Sequence, residues 1–287
     1  MRKKSILFLC PAFLVYTILL IIPILFAFML SFTDWNGFIQ SPLKFVGLKN
    51  YLKLFSDFRL ANAIGVTLRI ALVVVVSVNI LGLLLALLLN QSGKLTNLFR
   101  GVFFLPFVLS TVAISFIWMS ILSYTGVLNS ILSAVGLQSL VGDFLGNASN
   151  AINSICVIEI WRMTGFHMVI YLAALQTVPA DIYEASTIDG ANGIQKFFYV
   201  TLPNIVPGIT ISVLMSIINE LRQYDIVKVI TDGGPGYSTE TITYNILTQA
   251  FGNNKTGYSS AIAVFLFVLI ATIAVIQINI SNKLEVK

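Results

Sequence analysis

The sequence predicts an all-α integral membrane protein with six transmembrane helices. Hydrophobic residues make up 57% of the 287 residues and charged residues only 10%, with a mean hydropathy of +0.91, outside the range of soluble domains. The charges are grouped, which leaves uncharged stretches at 5–33, 70–93, 101–142, 144–158, 163–180, 197–219 and 256–282. These runs are continuous rather than alternating between apolar and polar residues, so helices are favoured over a barrel.

A helix rising about 1.5 Å per residue needs about 20 apolar residues to cross the hydrocarbon core. Spans are therefore expected at 6–32, 68–90, 102–122, 154–178, 202–224 and 260–280, within a single transmembrane domain covering 1–287. The first connection, 33–67, carries Leu52, Leu54, Phe55, Phe58 and Leu60 among lysines and aspartate, a spacing that suggests a short amphipathic helix at the outer interface. Lys94 and Arg100, with no acid beside them, suit a cytoplasmic turn between spans two and three. Residues 125–146 are apolar but broken by glycines, with Leu128, Ile131, Leu132 and Val135 at helical spacing, and read as an outer-face helix rather than a seventh span.

The polar connection 179–201 differs from the other inner segments. Pro179, Asp181 and Glu184 suit the start of a helix, and Gly190 with Asn192-Gly193 can end it and turn the chain. A second short helix is expected over Ile194, Phe197, Phe198 and Val200, with Leu202-Pro203 opening span five. Asp232-Gly233-Gly234-Pro235-Gly236 is a strong turn signal in the last outer loop.

An even number of spans puts both termini on one side, and Arg2-Lys3-Lys4 argues that this side is cytoplasmic. The inner segments hold eight Lys or Arg and the longer outer loops six, a bias of density. The first apolar run is too long for a signal peptide. Bulky Leu9 argues against a lipoprotein cysteine at Cys10, and Cys10 with Cys156 are too few for a disulfide or metal framework. Juxtamembrane basic residues account for the pI near 9.2 without a nucleic acid. Asn147-Ala148-Ser149 and Asn254-Lys255-Thr256 fit the glycosylation pattern in outer loops, a match that is coincidental if the source is bacterial.

Residues 181–203 resemble the EAA loop of permease subunits of ATP-binding-cassette importers, through Glu184, Ala185, Gly190, Leu202 and Pro203. Ser186 replaces the second alanine of that pattern and Val200 its isoleucine. Phe45 to Tyr51, Trp161 to Gln176 and Thr231 to Pro235 followed by Thr239 extend the similarity to the carbohydrate-uptake, maltose-type branch.

That resemblance implies a type I importer fold with cytoplasmic coupling helices between helices 4 and 5, and a non-catalytic half-transporter in a bacterial plasma membrane. The implied partners are a second homologous permease, two ATPase subunits that bind the ATP and Mg, and an extracytoplasmic sugar-binding protein. Tyr183, Glu184, Ala185, Ser186, Asp189, Gly190, Leu202 and Pro203 would form the ATPase-coupling element. No cofactor or metal is expected in this chain.

Ionisable groups at membrane depth are costly and face a cavity or a partner. Glu159 and Arg162, three residues apart, can pair on one helical face, while His167 reads as a hydrogen-bonded packing residue. By similarity, the sugar would be contacted from Arg162, Met163 and Phe166 and from Ser216, Glu220 and Gln223. Trp161 and Phe166 could stack on a sugar ring while Glu220 and Gln223 bond its hydroxyls. Arg162 and Arg222 suggest an acidic sugar, since guanidinium pairs bidentately with carboxylate.

Two other classes compete with this reading. An ion-coupled secondary transporter would show internal repeats, and no convincing one relates the two three-span halves. A membrane-embedded enzyme is disfavoured by the single histidine and the lack of H-E-x-x-H or any paired catalytic motif. The chain also has no phosphate-binding loop: Gly93-Lys94 lacks the required earlier glycine, with Leu88 in its place, so any ATPase must be a separate chain.

Overall fold

The computed structural model describes residues 11–91 and 93–283; Arg2-Lys3-Lys4, Cys10 and the start of the first predicted span lie outside them. The architecture is helical throughout, and a lone antiparallel bridge between Thr33 and Phe45 stands in for sheet among the described residues. The elements are α1 (Pro11–Leu30), α2 (Lys49–Leu54), α3 (Phe58–Leu88), α4 (Lys94–Val108), α5 (Thr111–Leu122) and α6 (Val127–Ala134). They continue with α7 (Ala148–Gln176), α8 (Ala180–Ile188), α9 (Gly193–Asn204), α10 (Val206–Leu221), α11 (Asp225–Ile230), α12 (Ile242–Leu247) and α13 (Thr256–Ser281). Five helices are long and apolar enough to span, α1, α3, Thr111–Ala134, α7 and α13, and the count is six when the bent pair Gly193–Asn204 and Val206–Ile230 is taken as one span.

Three boundaries differ from the sequence expectation, each for a local reason. The second span begins at Phe58 rather than 68, because Asp57 Oδ1 accepts from the amides of Arg59 (3.0 Å) and Leu60 (3.2 Å) and starts the helix there. The polar first turns with Arg59, Asn62 and Arg69 had hidden those ten residues from a hydropathy reading.

The third span, expected as one rod over 102–122, is interrupted at Leu109–Ser110. Pro106 lies inside α4, Leu109 is extended, and Ser110 caps α5 by accepting from Ala113 N at 3.5 Å.

Leu202-Pro203 closes the helix before span five instead of opening that span. Ile205 leaves helical geometry (φ −96°, ψ 6°), and the two flanking helices meet at 69°. Pro207 then sits in the first turn of α10, where a missing amide costs least.

Two compact units are formed, residues up to 61 with 242–269, and residues 62–241 with the chain from 270 onward. In the first, Asn50 donates to Ser31 O (2.9 Å) and Thr33 O (2.8 Å), Tyr51 OH meets Ser31 Oγ at 2.6 Å, and Tyr258 OH donates to Asp57 Oδ2 at 2.7 Å. The short amphipathic helix expected in this region is α2, which buries Asn50 and Leu54 and leaves Leu52 exposed.

The second unit is organised around α7, which packs against both α4 and α10. Its side chains are buried over most of its length. Small residues let its neighbours approach closely. A Cβ on Gly82 of α3 would stand 2.9 Å from His167 Cβ, one on Gly208 of α10 2.3 Å from Ala174 Cβ, and one on Gly165 of α7 only 1.9 Å from Phe103 O of α4. The loop before α7 is tied by Asn129, buried, which bonds Tyr124 O, Gly142 O and Gly142 N. Val127–Ala134 forms a short helix after Gly126, and together with α5 it makes up the apolar stretch Thr111–Ala134.

Candidate functional site

Residues 179–204 form a helical hairpin whose conformation is set by its own side chains. α8 starts after Pro179 with Asp181 in its first turn, where an acid suits the helix dipole. It ends at Gly190, φ +78°, with Ala191 N on Ser186 O (3.0 Å) and Gly190 N on Thr187 O (3.1 Å), the paired bonds of a left-handed helix terminus. Asn192 and Gln195 then start α9 through reciprocal side-chain to backbone bonds, each 2.9 Å.

Two cross-ties hold the arms together: Tyr183 OH to Thr201 Oγ1 at 3.2 Å and Lys196 Nζ to Thr187 Oγ1 at 2.8 Å. Ser186 is buried and donates to Tyr183 O at 2.7 Å. Glu184, Ala185, Asp189 and Gly190 are exposed around the turn. Ile188 and Ile194 are also exposed, at 86% and 73%, so the hairpin tip presents apolar side chains left uncovered among the described residues. Leu202 and Pro203 end the returning arm, half-buried.

A polar seam runs between α7 and α10 in the second unit. Spacing of about four residues lines up Glu159, Met163, His167 and Tyr171 on α7 and Ser212, Ser216 and Glu220 on α10, all buried. Asn79 of α3 is its hub. Its Oδ1 accepts from Tyr171 OH and Ser212 Oγ, both at 2.7 Å, and its Nδ2 donates to Val75 O (2.7 Å) and Ser216 Oγ (3.0 Å). Because Ser212 gives its proton to Asn79, its 2.7 Å contact with His167 Nδ1 requires His167 to donate there. His167 is thus hydrogen-bonded in the core as expected, with Nε2 left as an acceptor that has no partner among the described residues.

Toward the end of the seam nearest residue 221, Arg162 places Nε (3.1 Å) and Nη2 (2.8 Å) on Glu159 Oε2, which is the pair predicted from their spacing. Gln223 Nε2 bonds the other oxygen of Glu159, while Gln223 Oε1 accepts from Tyr224 N at 3.0 Å. These groups border a polar cleft of ≈ 300 Å³ lined by Phe107, Arg162, Met163, Asn219, Glu220, Arg222, Gln223, Tyr224 and Asp225.

The cleft brings together Arg162, Met163, Glu220 and Gln223 of the residues singled out from sequence, and leaves the others apart. Glu159 lies behind Arg162 without exposure, and Ser216 spends its hydroxyl on Val213 O (2.9 Å) while accepting from Asn79. Trp161 meets Trp118 edge-on at 5.6 Å, and Phe166 stacks on Phe107 at 4.5 Å, so they do not form one stacking platform. The aromatic rings that line the cleft are Phe107, which follows Pro106, and Tyr224, and neither was singled out. Asn79 was also missed, although it is the one amide in the apolar run 70–88.

Arg162→Met should cost about 3–5 kcal/mol, because it strands a buried carboxylate. Adding Glu159→Leu in the same chain should recover most of that loss. Thermal unfolding of the detergent-solubilised protein checks this, with a fall of roughly 10 °C expected for the single variant; equal melting of the single and double variants would contradict it.

No group of His, Cys, Asp and Glu suited to a metal occurs among the described residues, and Cys156 is a buried free thiol. A bundle of apolar spans with a self-braced polar hairpin and a polar cleft between two spans defines a multi-pass membrane permease. A family model for the inner membrane component of binding-protein-dependent transport systems matches residues 78–286, and the chain belongs to that family.

Among its relatives, the probable starch degradation products transport system permease protein AmyD of Thermoanaerobacterium thermosulfurigenes is 36% identical over 281 residues, covering 98% of this chain and 94% of the relative. The multiple sugar-binding transport system permease protein MsmF of Streptococcus mutans is 36% identical over 256 residues, covering 89% and 87%. A chain of the bacterial alginate transporter crystallised with its alginate pentasaccharide-bound periplasmic protein superposes with a TM-score of 0.84 over 98% of this chain and 96% of that one. At 23% identity, that likeness speaks to the fold.

Proposed function

We propose that this chain is one half of the translocation pathway of an ATP-driven carbohydrate importer. The observation that carries the proposal is the braced hairpin of residues 179–204, whose exposed Ile188 and Ile194 suit docking on another protein. A hairpin tied across its arms passes on a rigid-body displacement that a loose loop would absorb. In this reading Tyr183, Glu184, Ala185, Ser186, Asp189, Gly190, Leu202 and Pro203 shape the element that couples to a separate ATPase, which binds the ATP and Mg.

The carbohydrate cargo is supported by relatives named for the transport of starch degradation products and multiple sugars, and by a cleft where Phe107 and Met163 offer apolar surface beside Glu220 and Gln223. The other partners are a second permease, a second ATPase subunit and an extracytoplasmic sugar-binding protein. The hairpin side and both termini face the cytoplasm of a bacterial inner membrane. ATP binding and sugar loading drive the cycle through contacts that differ between inward-open and outward-open states.

Gentle purification from the native membrane tests the assembly. An ATPase and a second permease should accompany the chain, and a stable, transport-competent homodimer free of ATPase would overturn the reading.

A further inference from the structure

We propose that the cleft between α7 and α10 accepts an uncharged, hydroxyl-bearing glycan segment and turns away one that carries a carboxylate, with Glu220 as the discriminating residue. The inference rests on the carbohydrate-importer reading above and specifies the chemistry of its cargo.

The guanidinium that invites an acidic sugar in the sequence is already committed. Arg162 spends its Nε and Nη2 on Glu159 Oε2, at 3.1 and 2.8 Å. Turning that fork toward a ligand carboxylate would leave Glu159, which has no exposed surface, without its charge partner. Gln223 is engaged at both ends of its amide, by Glu159 and by the amide of Tyr224.

Glu220 is in the opposite position. Its side chain is buried at 2% exposure, it lines the cleft, and its Oε2 has no partner among the described residues. A buried oxygen that lacks a partner is costly, and a ligand hydroxyl relieves that cost. Ionised, Glu220 accepts from a sugar hydroxyl and repels a carboxylate; protonated, it still offers a donor and an acceptor to a hydroxyl.

The charge balance points the same way. Glu220 and Asp225 at the lining, with Glu159 directly behind, set three carboxyls against the two guanidiniums of Arg162 and Arg222. Arg222 and Asp225 are both at the exposed rim, where water screens their pull on a ligand, so the buried charges that act on it are Glu159 and Glu220 against Arg162. A second carboxylate brought into this low-dielectric cleft meets net repulsion, whereas a neutral ring keeps both its hydroxyl bonds and its contact with Phe107 and Met163.

The test uses the assembled permease–ATPase complex in lipid nanodiscs, without the binding protein, so that only the membrane complex selects. Saturation-transfer NMR compares a panel of neutral gluco-, manno- and galacto-tetrasaccharides with the same sugars oxidised at C6 to uronates. In the wild-type complex the strongest neutral member should give at least about tenfold more transfer than its uronate. Glu220→Gln, with its melting temperature recorded as a check on folding, should narrow that ratio to about threefold or less.

Uronates that match or exceed the neutral sugars in the wild type would overturn the inference and leave the carbohydrate reading intact. So would a folded Glu220→Gln complex with an unchanged ratio. If Glu220→Gln does not assemble, the wild-type comparison decides alone. Absence of transfer from every glycan would instead overturn the carbohydrate reading itself.

Discussion

Ile188→Asp is expected to leave the chain folded and inserted while weakening ATPase association about thirtyfold, the equivalent of about 2 kcal/mol for an apolar anchor at the centre of an interface. The side chain is 86% exposed at the hairpin tip, so its loss removes little from the permease itself. Gly190→Val should reduce coupling by a different route. Nothing lies within 4 Å of a Cβ at that position, but its φ of +78° is a conformation that β-branched residues avoid at a cost of roughly 1–2 kcal/mol. Asn tolerates this region, so Gly190→Asn should keep most of the activity that Gly190→Val loses.

The measurements are retention of ATPase subunits through purification and sugar uptake per ATP hydrolysed. Undiminished ATPase retention in Ile188→Asp would remove the tip from the interface. Equal uptake by Gly190→Val and Gly190→Asn would show that the turn geometry is unimportant. Glu184→Lys adds a control from the sequence motif, since a residue that merely lay on the lipid surface would tolerate the change.

Gly165→Ala should lower stability through backbone packing alone. Its Cβ would meet Phe103 O at 1.9 Å and Phe104 Cα at 2.9 Å, both backbone atoms that no side-chain rotation can move aside. α7 and α4 would have to separate, and overpacking of this kind costs about 1–3 kcal/mol or more. A drop of roughly 5–10 °C in thermal unfolding follows, using about 2–4 °C per kcal/mol. Gly193→Ala, where the same atom meets nothing, should melt within about 1–2 °C of wild type, its cost confined to an exposed surface. Equal melting of the two variants would mean that the close approach of α4 to α7 does not constrain the bundle.

These two sites also show what could be read without coordinates. The helical hairpin of residues 179–204 was legible because its signals are local: Asp181 near a helix start, Gly190 at a helix end and Asn192 with Gln195 at the next start all act within a few residues. Even there, local reasoning had Leu202-Pro203 open span five, whereas α9 runs on to Asn204 and the break falls at Ile205, because proline is accommodated in the last turn of α9 before the chain turns by 69°. The pairing of Arg162 with Glu159 was legible for the same reason, being three residues apart on one helix.

The cleft was not legible in this way. Phe107 enters it only because the break at Leu109–Ser110 and the approach permitted by Gly165 set α4 against α7. Asn79 becomes a hub only when Tyr171, 92 positions away, and Ser212, 133 away, converge on it. The sequence also made Arg162 look available to a ligand, and only the crossing of α7 and α10, with Gln223 closing on Glu159, shows it to be committed.

By itself, then, the sequence determined that the chain is a helical membrane protein of six spans with a polar helical hairpin, because hydropathy and capping are properties of contiguous residues. The tertiary structure alone decided which polar groups inside the bundle are spent and which remain free. That is a matter of long-range pairing between helices, where each buried hydrogen-bonding group must find its partner in space and not along the chain.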